Sequence, residues 1–196
     1  MLISAITIGA IFGGAFIFFF SLKAAMNTPI PIVVVTSESM EPTIHKGDIL
    51  FIKNVPAENI NPGDHDQRTG DVIVYETEGI WASPIGQPVV HRVINRTYDN
   101  ITGKYTFETQ GDANISPDGF PVPEDNVYGK VVGQIPYIGW VKLFFDELSF
   151  GGVNIGTILL VLLGVLLVIS ILWDVYKPSG RGKEEENPPE APEERD

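Results

Sequence analysis

The sequence predicts a mainly β, antiparallel domain that lies between two transmembrane helices. Two long apolar segments, residues 2–22 and 153–173, contain no charged side chain. Between them lie six short runs rich in β-branched residues, separated by stretches rich in Gly, Pro, Asp and Asn. Uncharged stretches of about 20 residues match a bilayer's hydrocarbon core, and short β-branched runs between turn-forming residues are typical of strands. The chain is therefore expected to comprise segments 1–23, 24–150, 151–174 and 175–196.

Segment 1–23 is expected to be an uncleaved N-terminal transmembrane anchor. A helix over residues 2–22 rises about 1.5 Å per residue and can cross a core of about 30 Å. A secretory signal peptide is the alternative, because Ala24 and Ala25 follow the segment. The basic n-region of a signal is missing, however, and the apolar run exceeds the usual 7 to 15 or so residues.

Segment 151–174 is expected to be a second transmembrane helix, since its apolar run ends at an aromatic and charged edge typical of a membrane interface. Basic residues favour the cytoplasmic side of a membrane, and they are denser after this helix than before it. Both termini are therefore predicted to be cytoplasmic, with residues 24–150 outside. The basic residues concerned are Lys177, Arg181 and Lys183 after the helix and Lys142 before it.

Segment 24–150 is expected to be built from strands, and no helix of comparable strength is indicated within it. Glycine-aspartate turns precede several of the runs, and this spacing favours a closed or sandwiched antiparallel architecture. The predicted strands are Ile32 to Val35, Ile49 to Ile52, Val72 to Tyr75, Val89 to Asn95, Tyr105 to Thr109 and Val127 to Gln134.

The end of this segment, residues 136–150, is unusually aromatic. It includes Tyr137, Trp140, Phe144 and Phe145 directly before the second apolar segment. Aromatic residues in that position indicate a segment at the membrane interface, whereas the same residues could also close the β core. The sequence is compatible with both interpretations.

Composition excludes one functional class and one source of stability. The 196-residue chain has a formal net charge of -12, which excludes a broad basic surface for nucleic acid. It has no cysteine, so the outer domain cannot depend on disulfides. Many of the acidic residues lie among prolines in segment 175–196, a composition typical of a disordered tail.

The first block with chemical potential is Ser37-Glu38-Ser39-Met40-Glu41-Pro42-Thr43, which follows the first predicted strand. Taken alone, Ser37 and Ser39 are ordinary turn residues that bond their own backbone. A serine at the end of a strand, however, can be held rigidly and still face a substrate. Ser39 is therefore a candidate nucleophile.

A serine nucleophile requires a base, and the chain has three histidines. His45 and His65 lie in turns and are expected to be ordinary exposed residues. His91 lies within an apolar predicted strand, Pro88-Val89-Val90-His91-Arg92-Val93. A histidine in a strand is usually structural, but beside the serine block His91 becomes the leading candidate base.

The third block, residues 110–118, contains Asp112 and Asp118. Both aspartates could be simple turn formers. A carboxylate that accepts a hydrogen bond from an imidazole also selects the tautomer able to take a serine proton. The block therefore offers an orienting acid for His91.

In this order the three blocks resemble the type I signal peptidases, specifically the archaeal and endoplasmic-reticulum branch, which uses histidine where the bacterial branch uses lysine. The resemblance implies that Ser39 is the nucleophile, His91 the general base and Asp118 the third member of a triad. It implies that Asp112 is a supporting residue and that the Ser37 hydroxyl joins the Ser39 N–H as an oxyanion donor. No cofactor or metal is implied.

The fold implied is an antiparallel β catalytic domain of signal-peptidase type, residues 24–150, flanked by two transmembrane helices. The implied activity is that of a membrane-bound serine endopeptidase that removes N-terminal signal peptides from exported preproteins after small residues. Signal peptides, membrane lipid and the protein-export machinery are the expected partners, in the cell membrane or, in a eukaryote, the endoplasmic-reticulum membrane. The alternatives are a membrane-anchored binding or scaffold domain without catalysis, and a dedicated processing protease with few substrates.

Overall fold

The computed structural model describes residues 2–82, 84, 86–147, 149, 150 and 153–176. The basic residues that follow the second apolar segment, and nearly all of the acidic tail predicted over 175–196, lie outside the described residues.

Three α-helices are present: α1 over Leu2–Met26, α2 over Trp140–Glu147 and α3 over Ile155–Tyr176. Helices α1 and α3 coincide with the two apolar segments, so their helical conformation was predicted correctly. Taken over the part of the chain that the structure describes, no helix has both the length and the apolar character needed to cross a membrane.

All six predicted strands are present, some with shifted ends, and three short strands were not predicted. The longest, β4, extends four residues beyond the predicted end at Asn95, because the run continues as a hairpin arm paired with β5. The strands are β1 Ile32–Val34, β2 Ile49–Lys53, β3 Val72–Tyr75, β4 Val89–Asp99, β5 Lys104–Gln110, β6 Val122–Pro123, β7 Val127–Ile135, β8 Ser149–Phe150 and β9 Val153–Asn154.

Strands β1 to β7 form one antiparallel sheet in the order β1-β2-β7-β3-β4-β5-β6, while β8 and β9 form a separate hairpin. The seven-stranded sheet is open, with β1 and β6 at its edges, so the expectation of a closed or sandwiched architecture was wrong. The sheet can stay open because loops cover it. Met40 and Ile44 pack into one hydrophobic cluster, and Ile60 packs into another. Strand β3 is consequently buried on both faces.

The elbow, which is the loop of residues 35–48 between β1 and β2, is held in place by buried side chains. Met40 and Ile44 are 1% and 2% exposed, respectively, and they pack against Leu50 and Val74. The Val35 N–H donates to the Asp48 carbonyl at 2.9 Å, which continues the β1–β2 pairing past the end of β1. Burying the residue directly after Ser39 leaves Ser39 itself at the rim of the sheet.

The aromatic segment 136–150 contains a helix that the strand-based expectation missed. Leu143 is the side chain of α2 that is buried, whereas Tyr137, Trp140 and Phe144 are 58%, 42% and 59% exposed. The helix is amphipathic, with Leu143 on its buried face. These exposures argue against the interpretation in which the aromatic residues close the β core.

Candidate active site

The structure brings Ser39, His91 and Asp118 together in one line. His91 Nδ1 donates to Asp118 Oδ2 at 2.6 Å. With the ring proton on Nδ1, His91 Nε2 accepts from the Ser39 hydroxyl, at 3.1 Å. The arrangement has the geometry of a nucleophile, a base and an orienting carboxylate.

Each of the three side chains is positioned by a different part of the sheet. Ser39 lies on the elbow after β1, and His91 is the third residue of β4, paired with Ile73 of β3. Asp118 follows β5, and its N–H donates back to the Thr109 carbonyl at 2.8 Å. The central strands β3, β4 and β5 therefore fix His91 and Asp118, while a loop presents Ser39.

Asp118 Oδ2 accepts two further hydrogen bonds, from the Thr109 hydroxyl at 2.6 Å and from the Tyr75 hydroxyl at 3.0 Å. Burial acts to raise the pKa of Asp118, but the contact with His91 and the two hydroxyl groups outweigh it, so this pKa lies below the ordinary aspartate value. Burial raises the pKa of Tyr75, which keeps its phenol protonated as a donor. Asp118 is thus an ionised acceptor held on three sides.

Tyr75 and Thr109 were not identified from the sequence. Both are fully buried, at the ends of the strands that flank β4. A buried hydroxyl needs a hydrogen-bond partner. The sequence signal that could have identified these two residues is therefore a Tyr and a Thr in the predicted strands beside the His91 strand.

Ser37 lies where the resemblance implies an oxyanion donor. Its hydroxyl oxygen is 3.2 Å from that of Ser39, and the residue is exposed at the rim of the site. A hydroxyl in this position can donate to a carbonyl group that lies against the Ser39 hydroxyl.

Asp112 does not contact His91 but forms a bidentate ion pair with Arg92. Arg92 Nε and Nη2 donate to the two Asp112 oxygens at 2.7 Å each, and Arg92 Nη1 donates to the Gly70 carbonyl at 2.9 Å. Burial acts to raise the pKa of Asp112, but hydrogen bonds from Arg92 and Thr43 outweigh it and hold this pKa below its ordinary value. Breaking such a buried pair typically costs about 3–5 kcal/mol.

The Asp112 turn also holds the backbone of Ser39 in place. The Ala113 N–H donates to the Ser39 carbonyl at 2.9 Å. A Cβ added at Gly111 would lie 2.5 Å from the same carbonyl oxygen, so glycine permits this close approach. Asp112 and Arg92 thereby fix the turn against the backbone of Ser39, a role in which Arg92 was not anticipated from the sequence.

His65 departs from the expectation of an ordinary exposed residue. Its side chain is only 24% exposed, and Nε2 lies 3.1 Å from the Gly111 carbonyl, to which a protonated Nε2 donates. His45 is also only partly exposed, since its ring lies 5.8 Å from the ring of Tyr137 and its backbone N–H donates to Asp48 Oδ2 at 2.8 Å. Both loops pack on neighbouring segments that are distant in the sequence, which is why the expectation of two exposed histidines was wrong.

A cavity of about 320 Å³ lies beside Ser39 and His91. Its walls are β1, continuing to Val35, on one side and Pro88 to Val90 on the other. Because β1 is an edge strand, an extended peptide in this cavity can pair with its free backbone groups.

Comparison with known proteins shows similarity to one family. No family model matches the sequence. The signal peptidase complex catalytic subunit SEC11 of Lodderomyces elongisporus is 35% identical over 150 residues, which is 72% of this chain and 81% of that protein. The corresponding protein of Pyrenophora teres f. teres is 33% identical over 163 residues, 79% of this chain and 84% of the relative.

A third relative, from Tuber melanosporum, has the same name and is 31% identical over 179 residues, 86% of this chain and 90% of its own length. The chain therefore belongs to the family of signal peptidase complex catalytic subunits, the endoplasmic-reticulum-type branch of signal peptidase I that the three sequence blocks resemble.

Proposed function

We propose that this chain removes signal peptides from preproteins by serine catalysis, with Ser39 as nucleophile, His91 as general base and Asp118 as the carboxylate that orients His91. The observation that carries the proposal is the continuous line from the Ser39 hydroxyl through His91 to Asp118, with contacts of 3.1 and 2.6 Å. A binding or scaffold domain has no need of this alignment.

In the first half of the reaction, Ser39 Oγ attacks the carbonyl carbon of the scissile bond and His91 Nε2 takes the hydroxyl proton. The C–N bond then breaks as His91 returns that proton to the leaving amine, which leaves the signal peptide esterified to Ser39. In the second half a water molecule attacks the ester, His91 accepts its proton, and the proton returns to Ser39 Oγ. Asp118 stabilises the imidazolium in both halves without being protonated.

The developing oxyanion requires donors that are already in place. The Ser39 N–H and the Ser37 hydroxyl are the two proposed here, and the 3.2 Å separation of the two hydroxyl oxygens supports the second. Removing one such donor typically costs about 100- to 1,000-fold in kcat.

Asp112 is proposed to be a positioning residue. It touches neither Ser39 nor His91 through its side chain, and it acts through the turn whose Ala113 N–H holds the Ser39 carbonyl. This gives the supporting role implied by the resemblance a physical basis.

The proposed setting is a membrane. Residues 1–23 and 151–174 are proposed to anchor the catalytic domain of residues 24–150 in a two-pass arrangement, with both termini cytoplasmic and residues 175–196 as the tail. Helices α1 and α3 coincide with these apolar segments, and the exposed aromatic side chains of α2 lie directly before α3. Because the relatives are named as subunits of a signal peptidase complex, further subunits in the endoplasmic-reticulum membrane are proposed as partners.

The test is cleavage of a reporter preprotein by the purified full-length chain in detergent. Ser39→Ala is compared with the wild type and with Thr97→Ala, which alters an exposed residue at the far end of the His91 strand. Wild type and Thr97→Ala are expected to release the mature protein at equal rates, and Ser39→Ala to release none. Cleavage by all three proteins, or by none, would overturn the proposal.

A further inference from the structure

We propose that a second groove, lined by residues 113–120 together with Trp81 and Ala82, binds the mature-side residues of the preprotein, those directly after the cleavage site. The inference rests on the proposed function, because it concerns the part of the same preprotein substrate that follows the scissile bond. We call these residues the mature-side groove. Its volume is about 810 Å³.

The mature-side groove adjoins the catalytic cavity. Trp81 and Asn114 line both of them, so the two spaces lie next to each other at these residues. The catalytic cavity is lined by Ser39 and by β1, with which the signal-peptide side of an extended substrate can pair. A chain that lies along β1 and continues past Ser39 toward Trp81 or Asn114 reaches the groove.

The groove has exposed apolar side chains that its own fold does not use. Ile115 is 101% exposed and Phe120 is 50% exposed, and both line the groove. Single exposed apolar residues are common on protein surfaces, but two along one groove that joins a catalytic cavity indicate a peptide-binding surface. An extended peptide rises about 3.3 Å per residue, so the second and third residues after the cut are within reach of this surface.

Trp81 supplies an independent observation. Its indole Nε1 is buried, and among the described residues it has no hydrogen-bond partner. Buried donors are nearly always paired, so an unpaired donor is uncommon, and this one belongs to the side chain between the two cavities, beside the path along which a bound peptide would carry its backbone carbonyls. The ligand class is therefore an extended peptide with an apolar side chain two or three residues after the scissile bond.

The kinetic test uses two preprotein substrates that differ only at the second and third mature residues, which are leucine in one and aspartate in the other. The wild type is expected to have a KM about five- to tenfold lower for the leucine substrate, with kcat changed less than about twofold, as the burial of one apolar side chain would give. Ile115→Ser and Phe120→Ser are expected to remove most of this preference.

The matched control is Ile101→Ser, because Ile101 is 96% exposed on the β4–β5 hairpin and lines neither cavity. Ile101→Ser is expected to keep the full preference for leucine. Equal KM values for the two substrates, or an equal loss of preference in Ile101→Ser and Ile115→Ser, would overturn the inference.

A binding measurement separates this inference from the proposed catalysis. Ser39→Ala protein is irradiated with a preprotein that carries a photocrosslinking residue at its second mature position, and the crosslinked peptide is identified by mass spectrometry. Crosslinks within residues 113–120 support the inference even if the wild type does not cleave. Crosslinks elsewhere in the chain overturn it, as does the same yield of crosslinks within residues 113–120 from a preprotein that carries the photocrosslinking residue far from its cleavage site.

Discussion

At the active site, the alignment of His91 depends on two hydroxyl groups that come from neighbouring strands. Tyr75 and Thr109 both donate to the Asp118 oxygen that also accepts from His91. A hydrogen bond to a charged group is typically worth about 1.5–3 kcal/mol, so these two contacts are strong enough to decide where the carboxylate lies.

We therefore predict that Thr109→Val lowers kcat about tenfold or more with little change in KM, because the carboxylate loses a donor and His91 loses its fixed orientation. Thr109→Ser keeps the hydroxyl and should recover most of the activity. Steady-state kinetics of the two variants provide the measurement. Equal losses in the valine and serine variants would show that Thr109 only packs.

Asp112 is predicted to affect stability in a pH-dependent way. Its pKa is depressed in the folded state, so its contribution is complete above the unfolded value of about 3.9 and is lost as the pH falls through the lower folded value. Asp112→Asn should lower the free energy of unfolding by about 3–5 kcal/mol at pH 7. The difference from wild type should shrink only below about pH 4. Denaturant titrations at several pH values measure it, and a constant difference down to pH 3 would contradict the account.

At the scale of the elements, the Gly111 turn is predicted to control the position of the nucleophile. In Gly111→Ala the new Cβ would lie 2.5 Å from the Ser39 carbonyl oxygen, so the turn or the elbow must move. Such overpacking typically costs about 1–3 kcal/mol, and we expect kcat to fall at least tenfold.

Gly133→Ala is the matched control, because a Cβ at Gly133 in β7 would approach no atom closer than 3.4 Å and Gly133 lines neither cavity beside Ser39. Its cleavage rate should equal that of the wild type. Activity retained in Gly111→Ala, or lost equally in both variants, would show that the turn does not hold Ser39.

The strands could be predicted from the sequence because their β-branched runs are local signals. Ser39 and His91 could be chosen as a candidate pair because the serine, histidine and aspartate blocks occur together in one chain, and the structure places their side chains 3.1 Å apart. Tyr75, Thr109 and Arg92 could not be assigned roles, since their partners are set by the pairing of β3, β4 and β5 rather than by neighbours in the chain. Helix α2 was missed because eight residues give too short a pattern to compete with the strand signals around it.

For the whole molecule, we predict that the exposed aromatic side chains of α2 hold the catalytic domain against lipid. Phe144 is 59% exposed on this helix. Phe144→Ser should slow the cleavage of preproteins embedded in vesicles several-fold and leave cleavage of the same preproteins in detergent unchanged, because only the first setting uses the lipid contact. Ile101→Ser serves as the control. Equal slowing in both settings would indicate a structural defect.

The central claim is that Ser39 attacks the scissile carbonyl with His91 as its base, and the most direct measurement is the mass of the covalent intermediate. Wild-type protein is mixed with a preprotein, quenched in acid within the first turnover, digested and examined by mass spectrometry. We expect the peptide containing Ser39 to gain the mass of the signal-peptide acyl group. We expect Ser39→Ala to show neither this adduct nor any cleavage. Cleavage with the acyl group on another residue, or cleavage that persists in Ser39→Ala, would contradict it.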